Sequence, residues 1–419
     1  MRVLFVNGNL IYPLDSGGRI RRWNMLQALL EAGPTDALVF CRPEDKVSSE
    51  VYAGCQHVFR ADIRYLLPTE QFDRLYQSTL GRGRLTLGKP YPFQYPLHDL
   101  EELRARLRDT LDLAAYDVIW FGRADLALAV GPCPSAATIL DGDDFEYVRE
   151  GLLLWHSPWY GAKLWNYLNL AKLWWLERSF PRRFTRVVRC SEEDRQRQPA
   201  PNVVVIPNGT DVPDEALTRT PERRLLFVGM IGYGPNAQGL EWFLQAVWPR
   251  VRQSVPDAEL DIVGKGAPPW LVERDGQDGV RVHGFVHDLE PFYASAACAV
   301  VPLLAGGGTR LKILEAIGRK TPVVSTTLGA FGLDLTEAHG VYRADDPAAF
   351  ASQCAALLEH PEQADAAVAA GWEHVRQRYD WRVIRRQVAD LVRQVAHQRR
   401  ARQSAPGSSL SEILSASPR

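Results

Sequence analysis

The six cysteines of this 419-residue chain, Cys41, Cys55, Cys133, Cys190, Cys298 and Cys354, form no C-x-x-C pair, and no histidine stands near them at ligand spacing. That argues against a zinc site or a disulfide framework and suits a reducing compartment. Charge of one sign is also lacking. Forty-nine basic against fifty acidic residues leave a net charge of −1, so no overall field gathers nucleic acid. No run of about eighteen apolar residues occurs, and no bilayer-spanning helix is expected. The opening residues, Met1 to Asn7, read as a strand entering a glycine turn, too short and too polar afterwards for a secretory signal. The expected location is cytoplasmic, with peripheral contact at the inner face of a membrane left open.

What is present is an ordinary globular composition, 46% hydrophobic and 24% charged, long enough for two domains with separate cores. Apolar strand runs at 3–6, 37–40, 117–121, 137–140, 186–190 and 203–206 alternate with helical patterns. The first of these helices, over 19–32, carries Ile20, Trp23, Leu26, Leu29 and Leu30 on one stripe and stops at Gly33-Pro34. The polar segment 207–222, with Pro207, Pro213 and Pro221, reads as a linker. Strands at 224–228, 259–263, 280–283, 298–301 and 322–325 then alternate with helices near 236–252, 288–294 and 309–319. Continuous apolar strands between amphipathic helices indicate parallel sheets covered on both faces. The fold class is therefore α/β, with two Rossmann-like doubly wound domains facing a cleft and helices at the C-terminus. The expected boundaries are 1–206, a linker at 207–222, 223–380, a helix at 381–401, and a Ser-rich tail at 402–419 with the composition of a disordered segment.

Two loops have the chemistry of anion sites. Gly306-Gly307-Gly308-Thr309-Arg310-Leu311-Lys312 follows a buried strand and opens a helix. Glycines let backbone approach a ligand, and the amides of a helix start favour negative charge. Arg310 and Lys312 in the first turn oppose the helix dipole, which makes sense if a phosphate sits between them and the helix end. The alternative is a solvated face in which Lys312 pairs with Glu315. In the first half, Asp15-Ser16-Gly17-Gly18-Arg19 repeats the device, with Arg19 and Arg22 sharing a face; a tight turn plus a solvated basic face is the alternative. Facing loops of this kind suit a diphosphate. Glu315, one turn into the second helix, would either meet ribose or sugar hydroxyls or form the salt bridge to Lys312.

The second half resembles a retaining glycosyltransferase of the GT-B fold, family 4 type. The resemblance is carried, in order, by Val205 to Asp211, Leu226 to Gly229, Asp261 to Gly266, Val282 to Val286, Gly307 to Ala316, and Pro322 to Thr326 with Gly329. The Gly-Thr-Arg-Leu-Lys and Pro235-Asn236 variants are closest to a subgroup associated with exopolysaccharide-type sugar transfer. The resemblance implies a nucleotide-sugar donor, no metal and no other cofactor, and a carbohydrate or lipid-linked acceptor. Arg310 and Lys312 would neutralise the diphosphate, assisted by the backbone of Gly308, Thr309 and Leu311, and Glu315 would bond the ribose. His283 and Phe285 would lie near the base, beside Gly229 and Gly307. Gly17, Gly18 and Arg19 would approach from the other domain. The chain departs from the family pattern at Gly307, where a glutamate is common, at Met230, where a basic residue is usual, and at Phe121-Gly122-Arg123, where many members have a histidine.

Other readings remain beside this one. A dinucleotide oxidoreductase would need Gly-x-Gly-x-x-Gly, and Gly229, Gly232 and Gly234 have the wrong spacing. A sugar-nucleotide epimerase of the same architecture, or a noncatalytic sugar-nucleotide binding protein, would share the diphosphate site. Asp141-Gly142-Asp143-Asp144 suits magnesium by type. Alternatively Asp143 or Asp144 caps the helix beginning near Phe145, or Asp141 and Asp143 line an acceptor cleft with Arg123. The segment 151–190 holds Trp155, Trp159, Trp165, Trp174 and Trp175, with seven basic residues and the single acid Glu177. Either these tryptophans pack a helix onto the first sheet, or they meet a membrane surface or lipid-linked acceptor.

Overall fold

The computed structural model describes residues 1–8, 11–66, 70–88, 90–93, 95, 99–143, 145–156, 158–215, 217–306 and 310–403. Gly307, Gly308 and Thr309, Asp144 and the tail beyond residue 403 lie outside the described residues. The chain forms two compact units. One comprises 1–189, 194–206 and 385 onward, and the other 190–193 and 207–384.

The first unit is built on a seven-stranded parallel sheet of β1 (Val3–Gly8), β2 (Thr35–Cys41), β3 (Val58–Asp62), β4 (Val118–Phe121), β5 (Ala137–Asp141), β6 (Arg186–Arg189) and β7 (Val203–Val205). Their order across the sheet is β3-β2-β1-β4-β5-β6-β7. Every residue of β1, β2 and β4 is buried, as expected of strands covered on both faces by helices. The second unit holds β8 (Arg224–Val228), β9 (Glu259–Val263), β10 (Val280–Gly284), β11 (Cys298–Val301), β12 (Val323–Ser325) and β13 (Val341–Arg343), in the order β10-β9-β8-β11-β12-β13 and again parallel. In both orders the winding reverses direction once, between β1 and β4 and between β8 and β11. Loops at the carboxyl ends of the strands flanking such a reversal form the crevice where doubly wound sheets bind ligands.

The apolar pattern missed β3 and β13. Both are edge strands with one hydrogen-bonding neighbour, and Arg60 and Asp62 in β3 and Arg343 in β13 break the apolar run. The helix expected over 236–252 runs from Gly234 to Ser254, with a π-helical turn at Phe243–Val247. Pro249 supplies no amide for the ladder at that point, and the wider turn accommodates it. The segment read as a linker is packed onto the second unit. Thr210 bridges to Asp380, Val212 is buried, and a Cβ on Gly209 would lie 2.5 Å from the Tyr379 carbonyl. The last helix, Trp381–Gln403, does not stand apart. From Arg385 onward it belongs to the first unit, where Arg385 Nε donates to Asn24 Oδ1 at 2.8 Å and Arg400 pairs with Asp117 at 2.9 Å.

The glycine turns after β8 and β9 touch backbone to backbone. A Cβ on Gly264 would stand 1.7 Å from the Gly229 carbonyl oxygen, whereas one on Gly234 would meet nothing within 4 Å. Gly264→Ala is therefore expected to cost about 3 kcal/mol, near the top of the range for overpacking. Gly234→Ala should change stability by less than about 0.5 kcal/mol. Equal urea midpoints for the two variants would contradict this packing.

Candidate functional site

In the second unit, the strand reversal brings together the turn after β8, the loop after β11 and the starts of two helices. The helix Gly234–Trp242 lies tight against the loop: a Cβ on Gly239 would be 2.3 Å from the Pro302 carbonyl oxygen. Gly306, with φ of +116°, packs against Pro235. The loop after β12 is stitched beneath by Thr326 Oγ1, which donates to the Leu303 carbonyl at 2.6 Å.

Lys312 is the centre of this arrangement. It lies in the first turn of the helix Leu311–Gly318, half-buried, with Nζ 4.3 Å from the centre of the Phe227 ring. The ammonium donates to Asn236 Oδ1 at 2.9 Å, and Asn236 Nδ2 donates to the Met230 carbonyl at 2.7 Å. A side chain on Gly229 would collide with it, since a Cβ there would be 2.9 Å from Nζ. No carboxylate among the described residues lies within ion-pair distance of Lys312. Burial, and then the neighbouring Arg310, push its amine down to about 7. Arg310 is itself buried and donates from Nη2 to the Gly306 carbonyl at 2.9 Å, which ties the two ends of the loop.

The expected alternative, Lys312 paired with Glu315, is not what forms. Glu315 lies 3.6 Å from Arg319 and accepts a hydrogen bond from the buried Tyr293 hydroxyl. It keeps about a quarter of its side-chain surface exposed, at 26%, and burial raises its carboxyl above the usual range. Leu311 opens the helix and packs against the core. Phe285 is 54% exposed just beyond β10, with Lys265 Nζ 4.3 Å from its ring centre. His283 points elsewhere. Its Nε2 is 2.6 Å from Asp261 Oδ1, in a cleft of about 240 Å³ lined also by Arg224, Pro291 and Phe292 and by none of Gly229, Arg310, Lys312 or Glu315.

In the first unit, a cavity of about 360 Å³ opens at the β1/β4 reversal. Gly18, Arg22, Arg123, Asp141, Asp143 and Arg189 are among its lining residues. Gly17 begins the helix Gly17–Ala32, but Arg19 is not at the cavity, because it turns back to Asp15 at 2.8 Å. Arg22 takes that place. Its Nε is buried without a hydrogen-bond partner among the described residues, and burial and the nearby Arg123 lower its pKa. Arg123 pairs with Asp125 at 2.5 Å. Asp141 is buried and held by Arg21, whose Nη2 lies 2.7 Å from Oδ1 and whose Nη1 also reaches the Ile206 carbonyl at 3.3 Å. Asp143 is 3.9 Å from Arg21 and 41% exposed. Of the two residues read as caps near Phe145, Asp144 lies outside the described residues. The helix Glu146–His156 is capped by Glu177, which accepts from the amides of Glu146 at 2.9 Å and Tyr147 at 3.1 Å. No group of three metal-ligating side chains is gathered among the described residues.

The residues that sequence patterns missed are those reached through space, Tyr293, Arg21 and Arg189; Arg22 was read only as sharing a face with Arg19, and Asn236 only as part of the Pro235-Asn236 variant.

Comparison with known proteins places these features in context. Residues 222–360 match the family model described as glycosyl transferases group 1. The chain is 32% identical over 209 residues to a phosphatidyl-myo-inositol mannosyltransferase of Mycobacterium leprae, covering 46% of this chain and 54% of that protein. It is 31% identical over 207 residues to the enzyme of the same name from Mycolicibacterium smegmatis, covering 46% and 53%. The chain thus spans about half the length of the curated relatives it matches. Among solved structures, a sucrose-phosphate synthase of Thermosynechococcus elongatus superposes with a TM-score of 0.63 at 17% identity, covering 95% of this chain and all of that one. Anabaena HepE in complex with UDP and glucose superposes at 0.60 and 15% identity, covering 94% and 99%. At these identities the likeness is one of fold: two Rossmann-like units of the GT-B class.

Arg21→Met would leave Asp141 buried without its cation and is expected to cost about 3–5 kcal/mol. The double variant Arg21→Met with Asp141→Leu should recover most of that loss. Denaturant titration tests the pair, and a single-variant loss below about 1 kcal/mol would contradict the assignment.

Proposed function

We propose that this protein is a glycosyltransferase that moves a sugar from a nucleoside-diphosphate donor to an acceptor hydroxyl, with retention and without a metal, in the synthesis of a polysaccharide or glycoconjugate. The observation that carries the reading is Lys312: a recessed ammonium with no carboxylate partner among the described residues, beside Arg310, at a helix start on the strand reversal of the second sheet. The group 1 match over 222–360, the mannosyltransferase relatives and the UDP-bound structural neighbour support it.

In this reaction the bond from the sugar's anomeric carbon to the β-phosphate oxygen breaks, and that oxygen takes the electron pair. Lys312 and Arg310 neutralise the charge that develops there, and because they are already in place they do so without reorganisation. Glu315 accepts from donor hydroxyls, its carboxylate fixed by Tyr293 and Arg319. The exposed face of Phe285 stacks on the base. The acceptor, a carbohydrate or a lipid-linked saccharide, takes the first unit's cavity, with Gly18 and Arg22 beside its polar groups and Arg123, Asp141 and Asp143 shaping the wall. The acceptor oxygen bonds to the anomeric carbon and gives its proton to the departing β-phosphate oxygen. Departure of the nucleoside diphosphate completes the exchange.

A panel of nucleoside-diphosphate sugars, assayed for nucleoside diphosphate release with and without acceptors, tests the reading. Acceptor-dependent release that persists in EDTA is expected, and Lys312→Ala should lower kcat by about 10²–10³-fold while the protein stays folded. Tight nucleotide binding without turnover, or interconversion of the sugar without transfer, would overturn it.

The lowered pKa of Lys312 gives a pH signature with a definite sign. Free protein holds Lys312 charged below about pH 7. A bound diphosphate favours the charged form, so binding above that pH takes up a proton. UDP affinity should therefore fall as pH rises from 7, by up to about tenfold per unit until the bound-state pKa is reached. Lys312→Gln should flatten that slope in calorimetric titrations, and a slope unchanged by the substitution would contradict the assignment.

A further inference from the structure

We propose that three helices of the first unit form a docking surface for an anionic lipid bilayer. The inference rests on that unit's surface alone and stands independently of the transfer reaction.

The helix Lys163–Arg183 is inside out. Its buried side carries polar groups, Asn169 accepting from the Phe93 amide at 2.8 Å and Glu177 capping the preceding helix, alongside Leu173, Leu176 and Phe180. Its exposed positions are Leu164, Tyr167, Leu168, Ala171, Trp174 and Trp175. These spacings of three and four trace one stripe along the helix. The stripe continues into Arg178 and Arg182, both exposed, and the Arg178 guanidinium sits 4.9 Å from the Trp174 ring centre. Of the residues that the sequence alternative packs into the core, Leu164, Trp165, Leu168, Trp174 and Trp175, only Trp165 is half-buried, against Gly83, whereas Trp175 is 63% exposed and Leu164 56%.

Neighbouring elements extend the patch. Leu153, Trp155 and Trp159, on and just after the helix Glu146–His156, are exposed, the two tryptophans by more than 70%. The helix Thr79–Gly88 packs against Trp165 through Gly83, where a Cβ would lie 2.9 Å from the indole, and it leaves Leu80 and Leu87 in solvent.

Charge selects the occupant. From 151 to 183 the acid is Glu177, which is buried, while Arg178, Arg182 and Arg183 are exposed. On the preceding helix, Glu150 is paired with Arg149 at 3.1 Å. An aromatic and leucine stripe ending in arginines with no acidic partner among the described residues matches the boundary between acyl chains and anionic headgroups. No helix of the described residues is long and apolar enough to cross a membrane, so the contact lies along the surface.

The full chain would be mixed at low salt with phosphatidylcholine vesicles, with or without about one third phosphatidylglycerol, and followed by cosedimentation and tryptophan emission. Binding to the anionic vesicles with a blue shift is expected, weakened by high salt and by the combined changes Arg178→Gln, Arg182→Gln and Arg183→Gln. The triple variant Trp155→Ser, Trp159→Ser, Trp175→Ser should lose on the order of tenfold or more in affinity with an unchanged circular dichroism spectrum. Lys312→Ala should bind vesicles as the parent does, which separates failure of this surface from failure of the transfer reading. Absence of vesicle binding, unchanged binding of the triple variant, or self-association abolished by the tryptophan changes without lipid binding would each overturn the proposal.

Discussion

The candidate site depends on one constraint: an ammonium group is held in a recess with an amide oxygen and an aromatic face for company, and no described carboxylate to neutralise it. Asn236 fixes Lys312 from one side and Phe227 from another, while Gly229 leaves the space it occupies. A structural lysine would normally pair with an acid or reach solvent. Here Glu315, the acid within helical reach, is turned toward Tyr293 and Arg319. The recess is thereby complementary to a ligand's negative charge.

The parallel sheets explain why that recess can exist. Strands buried on both faces end together, and reversing the winding leaves a gap between two strand ends where loops and helix starts converge. In the second unit this gap is lined by glycines whose side chains would strike backbone, which holds the turns after β8 and β9 together. In the first unit the same topological position opens into a cavity rich in arginines. Arg21 and Arg123 are paired with aspartates, while Arg189 is spent on the Gln198 side chain and the Gly142 carbonyl. Arg22 keeps at the wall an Nε with no hydrogen-bond partner among the described residues.

The fold was largely legible in the chain because buried parallel strands write continuous apolar runs. Where charged residues interrupt the run it is lost, as with Arg60 and Asp62 in β3 and Arg343 in β13, while the edge strands β7 and β10 were still read. The loop Gly306 to Lys312 was legible because glycine and cation types are themselves the chemistry. What stayed hidden was direction. Helical spacing shows that Arg19, Arg21 and Arg22 open one helix, but only the folded packing sends Arg19 to Asp15, Arg21 to Asp141 and Arg22 to the cavity. Likewise the stripe on Lys163–Arg183 could be read from periodicity, but not the fact that its apolar side faces solvent. Long-range partners such as Asn236 and Tyr293 leave no local spacing to read.

The central claim is most directly tested by nuclear magnetic resonance titration of the Lys312 side chain, in protein carrying isotope-labelled lysine and assigned with Lys312→Arg, without and with UDP. A midpoint near 7 is expected in the free protein, moving upward by at least about one unit when the diphosphate binds. An ordinary midpoint near 10.5, or one that does not move on nucleotide binding, would contradict it.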